Sequence, residues 1–177
     1  NVVYPGDLTF SSDQTFTGGH VVIQGDLYLN GGTISLAGAS LEVRGKLVAS
    51  GASLALDKDS RVYVAGRAML TNVPVTLDGT LTVQDDLILS SSAISGGGTL
   101  DLRGDLFSGS AITVGTLRLD GLTRQYLNSS AKVLAEKVVF KNPSRGGVVL
   151  QSVINYKQGV ELNGTSVFGG GKLKEAA

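Results

Sequence analysis

The tripeptide Gly6-Asp7-Leu8 returns as Gly25-Asp26-Leu27, Gly45-Lys46-Leu47, Gly66-Arg67-Ala68, Asp85-Asp86-Leu87 and Gly104-Asp105-Leu106. Successive copies start 19, 20, 21, 19 and 19 residues apart. A nearly fixed period of this length marks a chain built from stacked repeats. Within the second copy, three alternating pieces are separated by Gly and small residues: Leu27-Tyr28-Leu29, Ile34-Ser35-Leu36 and Leu41-Glu42-Val43. Alternation over so few residues is the period of a strand. Three strands in about 20 residues make one coil of a solenoid. A leucine-rich repeat shares the period but needs an Asn or Cys ladder, which is missing. An up-and-down barrel does not require its turns to recur at this spacing. The sequence therefore predicts an all-β fold, a right-handed parallel β-helix.

Stacking assigns the side chains. Leu8, Leu27, Leu47, Leu87 and Leu106 form one inward ladder, and Ile23, Val43, Val64, Val83 and Leu102 another. One coil cannot bury its own apolar side, so its stability comes from its neighbours. The recurrent Gly is expected at a corner with a backbone conformation closed to residues with a Cβ. Asp85 replaces it once, as one of the residues that best tolerate a left-handed corner. Six regular coils are expected over 1–120, then an irregular coil and a partial terminal coil or cap over 121–168, and a flexible tail over 169–177. Ala131 to Phe140 admits a brief helical turn, and the irregular segment is a candidate cover for the open end of the sheets.

The same parity places Thr9, Tyr28, Val48, Met69, Ile88 and Phe107 on the outside of the first strand. Ser35, Ala55, Thr76 and Thr113 lie outside the second, and Val22, Glu42, Tyr63, Thr82, Asp101 and Arg118 outside the third. The first of these stripes is apolar, the second small and hydroxylated, the third mixed and charged. A monomer seldom leaves a contiguous apolar patch of more than a few hundred Å² in water. The apolar stripe is thus the candidate interaction surface, covered by another protein domain, a second copy of the chain or its own C-terminal segment. At the corners, stacking sets Asp26 beside Lys46 and Arg67 beside Asp86. It also sets the like-charged Asp7 and Asp86 beside Asp26 and Asp105, where a cation is conceivable, although two carboxylates alone make a poor calcium site.

Composition narrows the function. Lys and Arg number 15 and Asp and Glu 15, a formal net charge of zero, so the basic footprint of a nucleic-acid binder is missing. No apolar run has the length of a membrane span. The first residues show no charged-then-apolar leader, the expectation for a mature fragment or an excised domain. With no Cys, disulfides and thiolate metal sites are excluded. His20 is the single histidine, so neither a catalytic triad nor a zinc site assembles in its usual form. Asp57-Lys58-Asp59 and Asp85-Asp86 are the nearest carboxylate pairs in the chain, and they lack the His, Arg and Lys partners that β-helical pectin-degrading enzymes place beside theirs. Gly96-Gly97-Gly98 reads as a flexible corner, and Gly169-Gly170-Gly171-Lys172 as a linker without the spacing of a phosphate loop. Asn128-Ser129-Ser130 and Asn163-Gly164-Thr165 fit a glycosylation sequon. No enzyme activity and no cofactor are expected.

The run Gly25-Asp26-Leu27-Tyr28-Leu29-Asn30-Gly31-Gly32-Thr33-Ile34-Ser35-Leu36 resembles repeats of large exported β-helical proteins of bacteria, adhesins and filamentous-haemagglutinin-like chains. Leu119 to Leu127 is similar to an element that closes a set of such repeats, and Val138 to Leu150, with Gly146-Gly147, to the opening of the next. The resemblance implies an extracellular or cell-surface location and a modular structural or binding role. The chain also resembles bactofilins, cytoskeletal β-helices that polymerise end to end, though its coils are longer than theirs. That likeness implies a self-assembling filament subunit, and the carboxylate pairs leave a glycan-active β-helix as a further alternative.

Overall fold

The chain, described over residues 1–176 in a computed structural model, is all strand, with 24 strands and no helix in that range. All strand pairs are parallel, and the strands stack as a β-solenoid with three faces and about nine turns. The first face is a nine-stranded sheet running from Leu8–Phe10 to Val167–Phe168. The second and third faces belong to one 15-stranded sheet, because the strands Ile112–Leu119, Val133–Phe140 and Ile154–Glu161 turn the corner between them unbroken. At about 4.8 Å per coil the column is about 40 Å tall.

Register follows the expected ladders. Leu8, Leu27, Leu47, Ala68, Leu87, Leu106 and Leu127 are directly paired along the first face. On the third face Ile23, Val43, Val64, Val83, Leu102, Leu119 and Phe140 are paired in the same way. The second face contributes Ile34, Leu54, Val75, Ile94, Ile112, Val133 and Ile154. These side chains form one continuous dry core, with nearly every member fully buried. Branched aliphatic residues suit it because identical shapes nest at each step along the axis.

The recurrent Gly has a different cause from the one its position predicts. Only Gly6 of the series has positive φ, and Asp85, which stands in for it once, does not. What forbids a side chain is the neighbouring coil: a Cβ on Gly66 would meet the carbonyl of Gly45 at 2.7 Å and its carbon at 2.9 Å. The corner is closed by stacking of backbone on backbone. The next corner residue then supplies an acceptor. Asp7 Oδ1 takes the N–H of Asp26, Asp26 Oδ1 that of Lys46, and Asp86 Oδ1 that of Asp105. Arg67 offers no acceptor to the coil above it, and there Asp85 Oδ1 takes the N–H of Asp86 instead, at 2.8 Å. Lys46 likewise offers no side-chain acceptor to Arg67, and there the corner keeps Gly66, so the Gly-to-Asp exchange supplies a local cap at only one of the two steps with a cation below.

Beyond Asp120 the sheets continue. Val133–Phe140 is a strand and not a helical turn, paired with Ile112–Leu119 below and Ile154–Glu161 above. The loss of period has a simple origin. The corner between third and first faces spans three residues at 24–26 and 103–105, but five at 120–124 and seven at 141–147. Gln125 and Asn142, both buried, satisfy the extra backbone. Gln125 Nε2 donates to the carbonyls of Leu102 and Gly104, each at 2.9 Å, while its Oε1 accepts from the Gly121 N–H and from Asn142 Nδ2. Gly169–Lys172, expected as a linker, is the last corner: Gly171 N–H donates to the Leu150 carbonyl at 2.8 Å, and Leu173–Glu175 then pairs with Ile154–Glu161.

Candidate functional site

The apolar stripe is one column. Thr9, Tyr28, Val48, Met69, Ile88 and Phe107 are paired in that order along the first face, and Asn128 follows them. Strand parity sends every one of these side chains away from the core. Tyr28 to Ile88 are half-buried by their neighbours in the column, and Phe107 is 41% exposed. At the Phe107 end the column borders a shallow groove lined by Ile88, Ser90, Phe107, Gly109, Asn128 and Ser130. A second groove, over Asn72, Pro74, Ser91, Ala93 and Ala111, meets the first at Gly109 and rounds the corner onto the second face. At the other end the Tyr28 hydroxyl donates to Asp26 Oδ2 at 3.3 Å, and desolvation, then the charge and hydrogen bond of Asp26, raise its pKa above that of a free phenol. Among the described residues the C-terminal strands do not fold back over the column: Val148–Leu150 and Val167–Phe168 extend the same face. A smooth, largely apolar rank of this kind can dock a surface.

The second face carries an outward rank of small side chains, Thr15, Ser35, Ala55, Thr76, Ser95 and Thr113, and the run ends in Leu134, Asn155 and Lys174.

The carboxylates adjacent in sequence do not form a site. Asp57 caps a corner, accepting from the Ser60 hydroxyl at 2.7 Å and from the N–H groups of Gly38 and Asp59, which hold its carboxyl below the usual range. Asp85 and Asp86 are spent on the caps described above. Among the described residues no three His, Asp or Glu side chains gather as metal ligands. Arg67 lies 3.9 Å from Asp86, whereas Lys46 meets Asp26 through its backbone. His20 stands half exposed beside Glu42.

The carboxylates that do meet are Asp101 and Asp120, on adjacent coils of the third face. Asp101 is 6% exposed and accepts from the Thr82 hydroxyl at 3.3 Å. Arg103 reaches both carboxyls, 3.5 Å from Asp101 and 3.6 Å from Asp120, and Arg118 donates to Asp120 at 3.0 Å. Arg103 also donates to Gln84, which accepts from Tyr63 as well, so the network spans four coils. Burial, then the hydrogen bond and the charge of Asp120, push the Asp101 carboxyl up to about 7. Sequence reasoning placed Asp101 and Arg118 on this face but passed over the pairing. These two coils are 17 residues apart in register, so Asp101 pairs with Arg118 and Asp120 lies two residues further along, a diagonal neighbour that a fixed period of 19 to 21 does not reveal.

No protein-family model, curated protein or solved structure matches the chain.

Proposed function

We propose that this β-solenoid is a non-catalytic structural or binding module of a bacterial surface or exported protein, and that its first face is the surface it presents. The observation that carries the reading is the outward apolar column from Tyr28 to Phe107 with the groove beside Ile88 and Phe107. Half-exposed aliphatic and aromatic side chains in a straight rank gain most when a second apolar surface removes them from water. The repeat resemblance to exported β-helical chains supports the location, and the neutral, corner-capped column suits a rigid spacer that displays such a face. The reading assigns the stripe to another protein domain.

A second reading is a self-assembling filament subunit, supported by the likeness of the repeats to bactofilins.

Light scattering after size exclusion, across a concentration series and with Met69→Glu beside the wild type, separates the two. A single-chain mass throughout agrees with a stripe reserved for a different protein. A defined dimer abolished by Met69→Glu places a second copy on the stripe. Open-ended growth that Met69→Glu leaves unchanged overturns the first reading in favour of end stacking.

A further inference from the structure

We propose that Asp101 and Asp120 hold one proton between them, so that the third face carries a proton-operated joint between two adjacent coils. Their positions force the two carboxyls together: Asp101 pairs with Arg118 in the register of these coils, and Asp120 follows two residues later on the same outward parity. The Oδ1 atoms of both are buried without a hydrogen-bond donor. Two ionised carboxylates in that arrangement would leave like charges adjacent and two buried acceptors empty, which is costly in a poorly solvated place. One proton turns one of the acids into a donor to the other, and the hydrogen bond between the two side chains is then complete.

The surrounding groups hold the pair without removing the need for that proton. From the coil below come the Thr82 hydroxyl, bonded to Asp101, and Gln84, bonded to Arg103. Arg103 and Arg118 flank the carboxyls on their own coils, and both lower the affinity of Asp101 for its proton. In the coil above, Val139 pairs with Arg118, and Lys141 stands beyond Phe140, over Asp120. Desolvation exceeds the effect of these cations, which is why the Asp101 carboxyl titrates near 7.

The linkage follows. The folded acid retains its proton up to about pH 7, whereas the unfolded one releases it near 3.8. Between those values the unfolded chain binds fewer protons, so stability falls as pH rises through the window and levels off above it. The joint is tight in mild acid and slackens on neutralisation. Asp105, also raised by burial, acts in the same sense, so the pair must be isolated by substitution.

The test is a carbon-detected carboxyl titration of the whole chain, with urea midpoints at pH 5 and pH 8 for the wild type, Asp101→Asn and Asp120→Asn. The expected result is a step near pH 7 at the Asp101 carboxyl, and a wild-type midpoint lower at pH 8 than at pH 5. Either amide supplies a permanent donor, so that fall should shrink in both variants. An Asp101 carboxyl titrating below pH 5 would overturn the proposal. So would variants that retain the full fall. Should a variant fail to fold, the wild-type titration decides alone.

Discussion

Replacing Gln125 with Leu removes the amide that joins the two long corners beyond Asp120. Four hydrogen bonds go, but they do not count equally. The Leu102 carbonyl still accepts from Asp120 N–H, and Asn142 Nδ2 still donates to the Thr123 carbonyl. The Gly121 N–H and the Gly104 carbonyl lose the partner that Gln125 gave them. The buried Gly121 N–H and the half-buried Gly104 carbonyl, left unpaired, cost at most about 1–3 kcal/mol each. A buried Leu side chain returns about 1.5–3 kcal/mol of that through apolar burial. The net expectation is a loss of about 1–3 kcal/mol, read as a lower urea midpoint in far-ultraviolet circular dichroism. Gln24→Leu, at an exposed corner position, is the control and should change stability by less than about 0.5 kcal/mol. Because coils feel chiefly their neighbours, amide exchange should accelerate at 120–124 and 141–147 and remain unchanged in the first coils. A loss no larger than that of the control, or loosening spread evenly along the column, would refute the role given to Gln125.

Gly66→Ala should destabilise by about 1–3 kcal/mol, because its Cβ would meet backbone atoms of Gly45 and Lys46 that have nowhere to move; Gly38→Ala has open space and bears only its left-handed φ of 61°, so its urea midpoint should fall less. Leu87→Ala, in the middle of the first-face ladder and fully buried, should cost about 2–5 kcal/mol by thermal or urea unfolding. Asp57 is held below its ordinary range, so it contributes stability above about pH 3.8 that is lost as pH falls further. The advantage of the wild type over Asp57→Asn should therefore shrink between pH 6 and pH 3 in parallel urea titrations.

The regular coils were legible because each side chain repeats its environment every 19 to 21 residues, and a ladder such as Leu8–Leu27–Leu47 states the stacking outright. Corner glycines were legible as corners but not in their cause, since contact between coils leaves no trace in one coil's own sequence. Gln125 and Asn142 hid the last coils because longer corners shift the period while the sheet register carries on. Strand parity aligned Thr9 to Phe107, which are register partners along the first face. The Asp101–Asp120 pair did not stand out because the coil between them is shortened to 17 residues, which makes them diagonal neighbours across two coils, while carboxylates adjacent in sequence, such as Asp85 and Asp86, point to different tasks.

The central claim is that the first face meets another protein. A photo-crosslinking residue placed at Ile88 in producing cells tests it most directly, with Thr76 on the second face as the matched site. The account predicts an adduct of defined mass from position 88, lost when Met69→Glu is added, and none from position 76. Equal labelling at both positions, or an adduct at 88 indifferent to Met69→Glu, would contradict it.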